Sequence, residues 1–110
     1  MAVELQLSER AQRVLRKLQP APDLAGSIEA VALDAVRMRL RDVVDQIGDF
    51  EARYGRTFEE FAADWNAGRI AARFARRTER DFMDWEALAM ERQELLDFIR
   101  ELMTPADAAC

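Results

Sequence analysis

Carboxylates, arginines and the N-terminal Gln6 are the side chains in this sequence whose spacing can do chemistry. Asp81, Phe82, Asp84, Trp85 and Glu86 make one dense acidic and aromatic run, and Asp81 and Asp84 share a face if the segment is helical. Such a pair can hold a divalent cation or divide acid and base roles. The chain has no His, which removes the commonest general base and zinc ligand, and its one cysteine, Cys110, has no second thiol to pair with. No other carboxylate set has its placement dictated by the sequence. An enzyme is therefore not expected, nor is a catalytic residue, a metal site or a cofactor. Read as a binding surface, the same run is an aromatic anchor ringed by acid, as interface hot spots often are. Read as architecture, it is the start of a helix with Phe82 and Trp85 in the core.

A second concentration of charge is basic. Between Trp65 and Arg80 stand Arg69, Arg73, Arg76, Arg77 and Arg80 against Glu79 alone. This segment, 69–80, can hold phosphate or RNA, with Phe74 to stack on a base. Equally it can be a solvated linker that offsets the following acidic helix through pairs worth little each. The net charge of −5 conceals this polarity: residues 1–80 carry 14 basic and 13 acidic side chains, whereas residues 81–110 carry 2 and 8. The acidic end is the part suited to a basic partner.

These residues must be positioned by helices. Ala, Leu, Glu and Arg dominate, and only 4 Gly and 3 Pro interrupt them, which reads as all-α. Leu33, Val36, Leu40, Val43, Ile47, Phe50 and Tyr54 recur at alternating spacings of 3 and 4, one apolar seam on a long helix that starts at a Ser27 cap. Valine at the d-like positions Val36 and Val43 disfavours a parallel zipper, so the seam is expected inside a helical bundle. Gly48 is the place for a bend. Before the seam, Ser8 caps a first helix that Pro20 and Pro22 stop, and Val3, Leu5 and Leu7 alternate as a short strand would. After it, Gly55 closes the long helix and Thr57-Phe58-Glu59-Glu60 has capping-box spacing for a short third helix. A last helix is expected from a cap at Thr78 or Asp81 to Pro105, and residues 69–80 are expected to be partly ordered.

The predicted architecture is a long central helix with shorter helices in a bundle, with a short N-terminal β-strand as an option. Residues 1–54 form the dimerising or DNA-binding part, 55–104 the partner-binding helical part, and 105–110 a tail. No run reaches the roughly 18 apolar residues of a membrane span, and Met1-Ala2-Val3-Glu4 lacks the features of a signal peptide, so the cytoplasm is the expected location.

Two resemblances bear on function. A strand at Val3 to Leu7, then a helix, a turn and a second helix opening at Ser27-Ile28-Glu29-Ala30, resembles the ribbon-helix-helix DNA-binding fold. That resemblance implies paired strands in the major groove, with Glu4 and Gln6 facing the bases. Gln6 suits adenine, whereas Glu4 opposes the phosphate-driven affinity. A DNA-binding regulator of this kind would rely on Gln6 and Arg10. The alternative at the same residues is a strand that only dimerises or caps the chain.

Over residues 50–102, Tyr54-Gly55-Arg56-Thr57-Phe58-Glu59-Glu60-Phe61 followed by Asp81-Phe82-Met83-Asp84-Trp85-Glu86-Ala87-Leu88 resembles small prokaryotic antitoxins of type II toxin–antitoxin pairs. These combine a Tyr-Gly-x-Ser/Thr-x-Glu-Glu-Phe element with an acidic Trp helix. The arginine-rich connector departs from that pattern, where an acidic one is expected. The resemblance implies a chain that neutralises a small basic, ribonuclease-like toxin by occluding its RNA-binding surface. Asp81, Phe82, Asp84, Trp85 and Glu86 would then touch the toxin, while the long helix and the N-terminal strand hold a homodimer. A helical oligomeric scaffold is the remaining alternative.

Overall fold

The computed structural model describes residues 6–71, 73 and 75–104 and contains four helices. Helix α1 spans Glu9–Leu18, and the Ser8 hydroxyl accepts the Ala11 N–H at 3.1 Å as its cap. Helix α2 runs 31 residues, Leu24–Tyr54, about 46 Å at the usual rise, and is uninterrupted through Gly48. Its cap lies four residues ahead of the expected Ser27, because Asp23 accepts the Gly26 N–H at 2.8 Å. Of two competent caps the earlier prevails, since each further residue adds a backbone hydrogen bond once the helix is nucleated. Ser27 is instead buried one turn inside.

Gly55, at φ 64°, ends α2 as expected and donates its N–H to the Glu51 carbonyl at 2.7 Å. Only glycine adopts this left-handed geometry without strain. The capping box forms as well: the Thr57 hydroxyl accepts from the Glu60 N–H at 3.2 Å, and the Glu60 carboxylate accepts from the Thr57 N–H at 2.8 Å. Helix α3 then spans Phe58–Asn66.

Helix α4, Arg76–Met103, corrects two expectations. It starts at Arg76, so the arginine-rich segment is helical from there on, and neither Thr78 nor Asp81 is its cap. Both are buried inside it, which gives this first turn tertiary support that its side chains do not supply locally. The cap position is Ala75, which has no side-chain oxygen to offer. Of the expected N-terminal strand, Gln6 and Leu7 have no regular structure, and residues 1–5 lie outside the described residues, as do Phe74 and the tail 105–110.

Helices α2 and α4 pack antiparallel, as ion pairs Arg53–Asp81 (2.8 Å) and Arg39–Glu91 (2.6 Å) register. The seam meets its partner within the chain. Val43 and Ile47 are buried against Trp85 and Leu95, with Val36, Leu40, Phe50, Tyr54 and Leu88 half-buried around them. Helix α3 closes one end of this pair, and Arg92, which interrupts the apolar stripe of α4, reaches Glu59 on α3 at 3.9 Å. Helix α1 lies back along α2, where the Gln19 amide donates to Asp34. The core therefore spans both sides of Gly55. Among the described residues no helix is long and apolar enough to cross a membrane.

Candidate functional site

The five residues expected to meet a partner divide between the inside and the outside of the molecule. Trp85 is 0% exposed and sits in an aromatic cluster, its ring centroid 5.1 Å from Phe61, 5.5 Å from Phe50, 5.7 Å from Phe58 and 5.8 Å from Tyr54. Phe82 is half-buried in the same cluster, 4.6 Å from Trp65. The expectation that these aromatics are exposed anchors is therefore corrected. A 3.6-residue period makes Trp85 line up with Leu88 and Leu95, and α2 and α3 converge on that face. The indole Nε1 of Trp85 is buried without a hydrogen-bond acceptor among the described residues.

Asp81 also points inward. Its Oδ2 accepts the Tyr54 hydroxyl at 2.6 Å and the Arg53 guanidinium at 2.8 Å, and the same guanidinium lies over the Phe50 ring at 5.2 Å. Burial raises the Asp81 carboxyl pKa, but the hydrogen bonds from Tyr54 and Arg53 and the charges of Arg53 and Arg77 outweigh it, leaving the net below the ordinary value. Burial, and then the hydrogen bond to Asp81, push the Tyr54 hydroxyl up. This constellation ties the end of α2 to the start of α4. Nothing in the sequence near Asp81 announces Tyr54 and Arg53, which are 27 and 28 residues away.

Asp84 and Glu86 remain exposed, so Asp81 and Asp84 do not form a carboxylate pair. Among the described residues no group of three or more carboxylate or cysteine side chains gathers as a cation would require. The solvent side of α4 carries what sequence reasoning missed. Met83 and Met90 are 68% and 69% exposed, large apolar side chains on the helix face opposite Trp85. Beyond them a shallow groove of about 510 Å³ is lined by Met90, Gln93, Glu94, Asp97, Phe98 and Glu101. The signal was legible as a second stripe, Met83, Ala87 and Met90, offset from the core stripe.

At the opposite end of α4, Arg53, Arg76, Arg77, Arg80 and Asp81 line a cleft of about 530 Å³. The other arginines of the cluster turn to α3: Arg69 meets Asp64 at 3.5 Å and Arg73 lies over the Trp65 ring at 5.5 Å. Gln6 is exposed just before α1, and Arg10 is exposed within its first turn. Comparison with protein-family models, curated proteins and solved structures finds no match to this chain.

Proposed function

We propose that this protein is an antitoxin-like binding protein that sequesters a small basic protein on the solvent side of α4. The observation that carries the reading is the composition of that surface: carboxylates at Asp84, Glu86, Glu94, Asp97 and Glu101 surround the exposed apolar side chains Met83, Met90 and Phe98. Apolar contact supplies affinity, and the acid steers a cationic surface and occupies the positions where RNA phosphates would sit. The mode is helix recognition by a groove, with α4 as the inserted element. Trp85 and Asp81 have a different part in it: they hold α4 rigid against α2 and α3, so that little order has to be acquired on binding. The toxin of this reading is ribonuclease-like, and the pair acts in the cytoplasm.

The test is titration calorimetry with the product of a small basic reading frame next to this gene. Replacing Glu94, Asp97 and Glu101 together with Arg should weaken the complex by more than about 100-fold with unchanged helicity, since like charges opposed across an interface cost several kcal/mol. An unaltered affinity would remove α4 from the interface, and the absence of any complex would remove the antitoxin reading.

A further inference from the structure

The residues on the outermost line of α4 carry opposite charge at its two ends, so that reversing the line sets each charged end against its complement. At alternating spacings of 4 and 3 this ridge runs Arg76, Arg80, then Met83, Ala87, Met90, then Glu94, Asp97, Glu101. All of these side chains are exposed, and the core stripe of Asp81, Trp85 and Leu95 lies on the other side of the helix. The line is thus basic at the N-terminal end, apolar in the middle and acidic at the C-terminal end. Neither Arg76 nor Arg80 has an ion-pair partner among the described residues. Among the described residues Asp97 is held only by exposed neighbours on its own helix, Gln93 at 3.0 Å and Arg100 at 3.6 Å, contacts that a partner readily displaces.

We infer that this ridge is an isologous interface, and that its occupant is the α4 ridge of a second copy of this chain lying antiparallel across a two-fold axis. Antiparallel pairing centred between Leu88 and Ala89 sets Arg76 against Glu101, Arg80 against Asp97, Met83 against Glu94 and Ala87 against Met90, each of these twice. Parallel pairing sets arginine on arginine and carboxylate on carboxylate along the same line, so charge alone selects the orientation. Ala87 near the axis lets the helices approach closely, and Met90 fills the space beside it.

The flanking positions add a second set of opposed residues. Glu79 faces Arg100 of the second copy, Glu86 faces its Gln93, and Arg77 faces its Phe98. Asp84 faces Glu91 of the second copy, a like pair, but Glu91 is already bound twice by Arg39 of its own chain, at 2.6 and 2.8 Å. The ridge is about 39 Å long and one helix wide, which places it among the small, reversible interfaces, with micromolar dissociation expected. The pairing covers the acidic half that the proposed function offers to a basic protein, so self-association and partner binding exclude one another. The inference does not rest on that reading, because it is tested on the chain alone.

Sedimentation equilibrium of the purified chain should give a dimer mass that falls towards the monomer as salt is raised. Arg76→Glu with Arg80→Glu, and separately Asp97→Arg with Glu101→Arg, should each weaken dimerisation by more than about 100-fold while keeping wild-type helicity. Mixing these two variants should restore a dimer, now a heterodimer. Orientation is read by spin labels in a Cys110→Ser background. A label at position 87 should give a short distance across the dimer, and one at position 101 a distance of about 37 Å or more, the axial offset of an antiparallel pair. A chain that stays monomeric up to roughly 1 mM, or variants that dimerise as the wild type does, overturns the interface. Short distances from both labels overturn its orientation. Because the dimer itself covers the acidic half, partner binding is read on the dissociated Arg76→Glu with Arg80→Glu variant, and failure of that variant to bind a basic partner removes only the proposed function.

Discussion

Asp81 shows how a residue type suited to one chemistry is put to another by its neighbours. With Tyr54 and Arg53 donating to one of its oxygens at 2.6 and 2.8 Å, its charge is committed inside the fold. Asp81→Asn keeps the shape and one acceptor for Tyr54 but loses the charge-assisted bond to half-exposed Arg53, so it should destabilise by about 1 kcal/mol in denaturant titration at neutral pH. The sign of the pH dependence follows from the lowered carboxyl pKa. Stability from Asp81 is present above its unfolded value, about 3.9, and is lost as pH falls through the lower folded value. Wild-type thermal midpoints should therefore drop more steeply than those of Asp81→Asn below about pH 4. Equal slopes would show that the carboxylate is not held in this way.

Trp85 is the other residue whose role the fold reassigns. Trp85→Ala removes the centre of the aromatic cluster and should cost about 3–5 kcal/mol, with visible loss of helicity. Trp85→Phe should cost clearly less, because it leaves a smaller void and removes the buried N–H that has no acceptor. If Trp85→Ala kept full stability, the indole would have to be a surface group after all.

At the scale of the element, the helices are made unequally by their own sequences. Helix α3 has a complete capping box and α2 a left-handed glycine at its end, whereas α4 begins on Ala75 with no cap. Ala75 already has the extended backbone of a cap residue, φ −67° and ψ 133°, so Ala75→Ser should stabilise by about 1 kcal/mol. Gly48 has the opposite character. A Cβ there meets nothing within 4 Å, and α2 is continuous through it. Gly48→Ala should raise stability by about 1 kcal/mol through helix propensity alone, seen as a higher thermal midpoint. A loss of stability would mean that the Cβ meets a neighbour that the open surroundings of Gly48 do not contain. These local features explain why the ends of α2 and α3 were legible in the sequence. The start of α4 was not, because contacts from Thr78 and Asp81 to a distant part of the chain favour it in place of a cap.

The whole molecule is thin for its length. Its radius of gyration is 19.8 Å, against about 13 Å for a compact chain of this size, and its extents are 57 × 33 × 22 Å. Two long helices set these dimensions. A paired rod of this kind has one inner side per helix and leaves the other side of each to solvent, which is how the ridge of α4 comes to display methionines. Charge is also separated along the rod, with arginines at the start of α4 and carboxylates towards its end. Long-range association governed by this polarity should weaken steeply between low and physiological salt.

The sequence by itself determined the helical class, the seam of α2, the stop at Gly55 and the capping box, since each follows from spacing or from a residue's own backbone preference over a few positions. It also displayed the charge polarity, which composition alone dictates. Only the tertiary structure decided which side of α4 is inside. An acidic-aromatic run can present its Trp to solvent or to a core, and the choice depends on where α2 and α3 lie. Once those helices meet Trp85 and Asp81, the methionines and carboxylates are left on the solvent side; their stripe is visible in the sequence, but which of the two stripes faces out is not.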